Sequence, residues 1–194
     1  EGRGRDAGTI AYEAEAMNAS HLSGVKTPRV LANASGSLVT SAEDKSVILM
    51  EYIDGENISG QRVSDSLIEE IGEEMGKMDT ALSDFSKPPG TRQEYEFDLK
   101  NFPGLYEEVA LLPPRFEHAA FEDVFASFAG IEEAFRASPA GLIHNDVVKH
   151  NLLVKDSKLS GIVDFSDMAF SPYAQNIAVT LSQVVFSEGW ETRQ

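Results

Sequence analysis

The sequence predicts an α+β fold in which short strands and long helices occupy different stretches of the chain. Three observations point there. Brief apolar runs between positions 30 and 50 alternate with turn residues, and similar runs return between 142 and 163. Between them, two longer segments carry apolar residues at helical spacing. The 194 residues, 42% of them hydrophobic, suffice for one core or two unequal lobes, and no internal repeat is visible.

Residues 10–22 read as a helix carrying Ile10, Met17 and Leu22, with Gly24 as its stop. Val30-Leu31 and Ser37-Leu38-Val39 suggest short strands parted by a turn from Asn33 to Gly36. The continuous apolar run from Val47 to Met50 predicts a buried strand, and Asp54-Gly55 a turn or linker. Leu67, Ile71, Met75, Met78, Leu82 and Phe85 recur at spacings of four and three, one face of a helix. Ser66 with Glu69 makes a capping box, and Pro88-Pro89-Gly90 ends the run. Tyr95 to Tyr106 is aromatic-rich and irregular. Phe121, Val124, Phe128, Ile131 and Phe135 mark another helix, closed by Pro139 and Gly141. Leu142-Ile143 is a short strand, and Asn151 to Asp164 a hairpin looping at Lys155–Lys158. From Tyr173 a last amphipathic helix carries Ile177, Leu181, Val184 and Val185, with Trp190 packing near the end.

Composition excludes several functions. There is no cysteine, which removes disulfides and thiolate metal sites. A net charge of −16 repels phosphate backbones, so no nucleic-acid partner is expected. That charge favours cationic ligands and metal ions, although most of the carboxylates read as a solvated face. No stretch approaches the roughly 18 apolar residues of a membrane span. The polar start from Glu1 to Thr9 lacks a signal-peptide core, so no membrane partner and a cytoplasmic location are expected.

Two acidic segments flank the hairpin: His144-Asn145-Asp146-Val147-Val148-Lys149-His150-Asn151 and Ile162-Val163-Asp164-Phe165-Ser166-Asp167. A hairpin sets its outer ends side by side, so Asp146, Asn151 and Asp164 converge. Two carboxylates and an amide oxygen form a hard, oxygen-rich site suited to Mg²⁺. Phosphoryl transfer needs a carboxylate to orient the attacking hydroxyl and a metal to neutralise phosphate charge. The pattern H-x-D-x-x-x-x-N, followed thirteen residues later by hydrophobic-Asp-Phe, supplies those parts in the order kinases use.

This segment resembles the catalytic and metal loops of the aminoglycoside phosphotransferase/choline kinase superfamily, which has a protein-kinase-like fold. The resemblance implies a partial N-lobe and hinge at 1–53 and a mostly helical C-lobe at 54–194 carrying the catalytic hairpin. It implies Asp146 as the catalytic base and Asn151 and Asp164 as Mg²⁺ ligands, with His144 a supporting, loop-shaping histidine. Ile48 to Gly55 resembles the hinge, whose backbone at Glu51 and Ile53 would bind the purine of ATP or GTP. Glu13 resembles the helix glutamate that pairs with the phosphate-binding lysine, with Glu15 its competitor. Asp167 is open between metal, loop backbone and a substrate ammonium. Lys149 is a candidate phosphate contact, because Val148 stands where relatives carry a polar side chain. Ser166 replaces a glycine common after Asp-Phe. His21, His118 and His150 read as surface or helix polars.

Tyr95 to Pro103 and Ser160 to Met168 are similar to stretches of the hydroxylysine kinase subfamily. The expected reaction moves the γ-phosphoryl group of a nucleoside triphosphate to a small cationic hydroxyl-bearing metabolite, 5-hydroxylysine first. Choline, ethanolamine, homoserine and aminoglycosides are the alternative acceptors, and a non-catalytic nucleotide-binding module is the alternative of another class. The resemblance also implies that the segment starts after the family's glycine loop and strand lysine and stops before its last helices. Gly2-Arg3-Gly4 lacks a preceding strand and is not that loop. The segment alone is therefore expected to be a poor catalyst.

Overall fold

Spacing of small and apolar residues starts the structure. The computed structural model describes residues 7–43, 45–86, 98–111, 113 and 118–185. Helix α1 spans Ala7–Leu22 and buries Ala14, Ala16 and Met17 together with Thr9, Glu13 and Ser20. The predicted face differs at one end: Leu22 is 72% exposed, because the helix stops there and Gly24, at φ +85°, turns the chain away. Strands β1 (Val30–Leu31), β2 (Thr40–Ala42), β3 (Lys45–Val47) and β4 (Leu49–Met50) form two antiparallel pairs, β1 with β4 and β2 with β3. Ser37-Leu38-Val39 is not a strand. Ser37 is held by the Asn33 turn, in which Asn33 Oδ1 accepts from the Ser35 and Ser37 backbone N–H groups. Nor is Val47–Met50 a buried strand: it divides between β3 and β4, and the two-stranded ribbons leave Val47, Leu49 and Met50 exposed.

Strand β5 (Glu56–Asn57) leads into helix α2 (Asp65–Ala81). Its cap is Ser64, whose hydroxyl accepts from the Leu67 backbone N–H at 3.3 Å, not the expected Ser66–Glu69 box. The predicted stripe of Leu67, Ile71, Met75, Met78 and Leu82 is buried. Pro88-Pro89-Gly90, Tyr95 to Phe97, the His118 side chain, Gly2 to Gly4 and Trp190 lie outside the described residues. A 3₁₀ segment at Leu99–Leu105 runs into the short helix α3 (Tyr106–Ala110). The second predicted helix is broken into α4 (His118–Ala129) and α5 (Glu132–Ala137). The break falls at Gly130, and Val124 and Ile131 are exposed while Phe128 is buried against Phe102 and Phe135.

Strand β6 (Ala140–Ile143) pairs antiparallel with β9 (Ala169–Pro172), a strand the sequence reading omitted. Strands β7 (Leu152–Lys155) and β8 (Lys158–Ile162) form the expected hairpin, and β5 adds to it in the order β5-β7-β8. Asp156 and Ser157, both at positive φ, close it with the two-residue turn that matches strand twist. Helix α6 (Tyr173–Thr180) continues as a π-helical turn at Leu181–Val185. It also departs from expectation. Ile177 is 53% exposed, while Gln175, Asn176 and Thr180 are buried. One hydrophobic core joins α1, α2, the hairpin and the loops beside it, and the loop after α1 is tied to β8 by Thr27 Oγ1 donating to the Ile162 carbonyl.

Candidate active site

Residues 144–151 form a tightly turned loop between β6 and β7. Its interior is apolar, with Val147 and Val148 buried, so the chain must return its polar groups onto itself. The Val148 N–H donates to the Asp146 carbonyl at 3.0 Å, and the Asn151 N–H to the Val148 carbonyl at 2.9 Å. Asn151 Nδ2 then donates twice to Asp146, to its carbonyl at 3.0 Å and to Oδ2 at 2.7 Å. That clamp leaves Asp146 Oδ1 without a protein hydrogen bond among the described residues, as it does Asn151 Oδ1.

The hairpin brings the second acidic segment to the same end. Leu152 pairs with Ile162, and the Val163 N–H donates to the Asn151 carbonyl at 3.0 Å. Asp164 follows in the left-handed region at φ 66°, is exposed, and caps a 3₁₀ turn at Phe165–Asp167 by accepting from the Ser166 N–H at 3.1 Å. Ser166 is not among the residues at positive φ, so its side chain brings no left-handed backbone strain to the turn. Helix α1 packs against this 3₁₀ turn. On it Glu13 is buried and Glu15 exposed, so of the two only Glu13 faces inward.

The carboxylates sense one another. Burial pushes the Asp146 pKa above its ordinary value, and repulsion from Asp167 and, less, Asp164 adds to it. His150 and the Asn151 hydrogen bond oppose the rise. His150 lies 3.7 Å from Asp146 Oδ2 and is largely exposed. His144 is fully buried and stacks edge-on against Phe165 at 4.7 Å. Burial pushes its pKa down to about 4, so the ring is neutral at pH 7 and its Nδ1 accepts from the Asp146 N–H at 3.2 Å. The Val163 backbone favours the charged ring, yet among the described residues no hydrogen bond of ordinary geometry reaches Nε2.

Elsewhere, Lys149 Nζ donates to the Gln61 carbonyl at 3.0 Å. The Glu51 N–H donates to the Arg29 carbonyl at 2.9 Å. Ile53 lies over Gly161, where an added Cβ would meet its Cδ1 at 2.6 Å. Among the described residues, no three His, Cys, Asp or Glu side chains group as a metal cage. A set of one amide and one or two carboxylates still fits Mg²⁺, which fills its shell with water and phosphate oxygens.

Residues 2–193 match the phosphotransferase enzyme family, APH. The chain belongs to this family. The homoserine kinase of Hyphomonas neptunium is 28% identical over 183 residues, 87% of this chain and 51% of that protein. The mouse (Mus musculus) hydroxylysine kinase is 29% identical over 153 residues, 70% of this chain and 39% of that protein. The chain thus spans about half or less of the curated relatives it matches. Its protein-kinase-like fold is shared with solved APH-type structures. A microcompartment-associated aminopropanol kinase matches with a TM-score of 0.70 at 18% identity, covering 99% of this chain and 63% of that one. The amicoumacin kinase hAmiN, solved in complex with AMP-PNP, Ca²⁺ and Ami, gives a TM-score of 0.61 at 15% identity, covering 94% of this chain and 55% of that one. No helix among the described residues is long and apolar enough to cross a membrane.

Four polar residues around the 144–151 loop were not anticipated. Asn145, Gln175, Asn176 and Asp79 are joined by hydrogen bonds behind Asp146. The signal was present: Asn176, Thr180 and Val184 recur every four residues, a buried helical face whose first members are polar.

Proposed function

We propose that the complete protein carrying this segment transfers the γ-phosphoryl group of a nucleoside triphosphate, ATP or GTP, to the hydroxyl of a small amino alcohol. One observation carries the reading: Asn151 clamps Asp146 Oδ2 while Oδ1 takes no protein hydrogen bond among the described residues, at the hairpin end where Asp164 also stands. Asp146 orients the acceptor hydroxyl and takes its proton as the oxygen attacks the γ-phosphorus and the bond to the β-phosphate oxygen breaks. A carboxylate raised by burial and by its acidic neighbours is the better proton acceptor. Asn151 Oδ1 and Asp164 would hold Mg²⁺, which neutralises phosphate charge when bound. Glu51 and Ile53 offer backbone groups to the purine, and Glu13 faces inward for a lysine partner. Lys149, tied to Gln61, is a loop brace before it is a phosphate contact. In this reading residues 1–53 form a partial N-lobe and hinge, and 54–194 the C-lobe with the catalytic and metal loops.

The acceptor we favour is 5-hydroxylysine, whose ammonium groups suit the acidic surroundings of Asp164 and Asp167. L-homoserine is the second reading, favoured by the 28% identity to a homoserine kinase. The test is a coupled assay of the full-length protein with ATP or GTP against both compounds, choline, ethanolamine and an aminoglycoside. Turnover of 5-hydroxylysine at least tenfold above the rest in kcat/KM is expected. Binding of nucleotide without turnover of any acceptor would instead support a non-catalytic nucleotide-binding module.

A further inference from the structure

The residue just before the proposed base is in an unusual conformation. Asn145 sits at φ 66°, the left-handed region that side-chain-bearing residues seldom adopt, and it is buried. Two consecutive residues of α6 hold it. Asn176 Oδ1 accepts from the Asn145 backbone N–H at 3.2 Å, and Gln175 Nε2 donates to Asn145 Oδ1 at 2.6 Å. Neither Gln175 nor Asn176 exposes any surface.

The amide orientations follow from fixed donors. The Leu99 N–H can only donate, and it points at Gln175 Oε1 at 2.9 Å, which turns Gln175 Nε2 toward Asn145. Ser171 Oγ lies 2.9 Å from the same Oε1 and 2.8 Å from Asp98 Oδ1, its one proton serving the two acceptors in turn. Gln175 thus joins three parts of the chain: the start of the 3₁₀ segment at 99–105, strand β9, and the catalytic loop.

We infer that Gln175 is a positioning residue for Asp146, holding Asn145 in its left-handed conformation and so fixing where the next residue aims its carboxylate. The inference rests on the phosphotransferase reading for its kinetic consequence and on the hydrogen bonds alone for its structural one. Without the tether, Asn145 relaxes toward ordinary backbone angles, and Asp146, one residue on, turns with it. The displacement affects the chemical step and spares nucleotide contacts at the hinge.

The experiment uses the full-length protein with Gln175→Met, which keeps length and packing but loses the donor. A fall in kcat of roughly tenfold is expected, with KM for nucleotide and acceptor within about twofold. Adding Asn145→Gly should return most of that kcat, since glycine adopts positive φ without a tether. Should Gln175→Met fail to fold, Asn145→Ala takes its place, because it removes the same tether and leaves Gln175 its bonds to Leu99 and Ser171. It should show the same fall in kcat. Gln175→Met with unchanged kcat, or a loss that Asn145→Gly does not relieve, overturns the inference. Amide hydrogen exchange at Asn145 and Asp146 provides a readout without turnover. Exchange roughly tenfold faster in Gln175→Met supports the tether even if no acceptor is ever phosphorylated. Unchanged exchange rejects it.

Discussion

Asp146 and His144 stand two residues apart and do opposite work. Asp146 is half-buried with one oxygen committed to Asn151, so Asp146→Asn keeps the shape and deletes the proton acceptor. In the full-length protein we expect turnover to fall by about 10² to 10⁴ with the melting temperature within a degree or two. Turnover within tenfold of the wild type would remove Asp146 as the base. His144 contributes to stability. Its ring fills a fully buried site against Phe165, and its Nδ1 satisfies the Asp146 N–H. His144→Ala should cost about 3 kcal/mol in urea unfolding through the cavity and the orphaned N–H. His144→Asn, which can return an acceptor near the Nδ1 position, should cost about 1 kcal/mol less. Equal losses for the two would show that the acceptor contributes nothing.

At the scale of elements, the hairpin was legible because its signals are local. A two-residue turn, alternating apolar positions and acidic ends all lie within fourteen residues, Asn151 to Asp164. What could not be read depends on distant partners. Strand β5 exists only by adding to β7, and β9 only by pairing with β6. The exposure of Leu49 and the burial of Gln175 likewise depend on what lies across from them. Two glycines in these elements separate packing from backbone strain. Gly161 on β8 underlies Ile53, and a Cβ there meets the mobile end of that side chain, so the neighbour can give way. Gly55 precedes β5 at φ +156°, and a Cβ would collide with Ser160 Oγ and lie 3.2 Å from the Val154 carbonyl, which is backbone. Gly55→Ala should therefore cost about 2 kcal/mol or more and Gly161→Ala under about 1 kcal/mol, read as urea midpoints. The reverse order would mean that Ile53 is the more rigid neighbour. Gly161→Ala should also raise KM for nucleotide severalfold if Ile53 lines the purine.

Across the whole molecule, one core is shared by residues before and after Ile53, and α6 closes the 144–151 loop from behind. The residues that join α2 to α6 create a pH response. Asp79 on α2 accepts from Asn176 Nδ2 at 3.1 Å, and among the described residues it is the one charged side chain lining an apolar groove with Ile71, Met75, Ile177 and Leu181. Burial pushes its pKa up to about 6 from the ordinary 3.8, against the smaller opposing effect of the Asn176 hydrogen bond. A raised carboxyl binds its proton more tightly in the folded chain than in the unfolded one. Its stabilisation is therefore full below about pH 4 and lost as pH rises through about 6. The rise from 3.8 to about 6 corresponds to nearly 3 kcal/mol, which partial exposure reduces to about 1 to 2 kcal/mol. Asp79→Asn keeps an oxygen for Asn176 and removes the titration. The variant should match the wild type near pH 4 and exceed it by about 1 to 2 kcal/mol at pH 7.5, measured by urea unfolding at both values. A constant difference at the two pH values would place the titrating group elsewhere. A variant less stable at pH 7.5 would mean that the charge on Asp79, and not its proton, holds Asn176 against the catalytic loop.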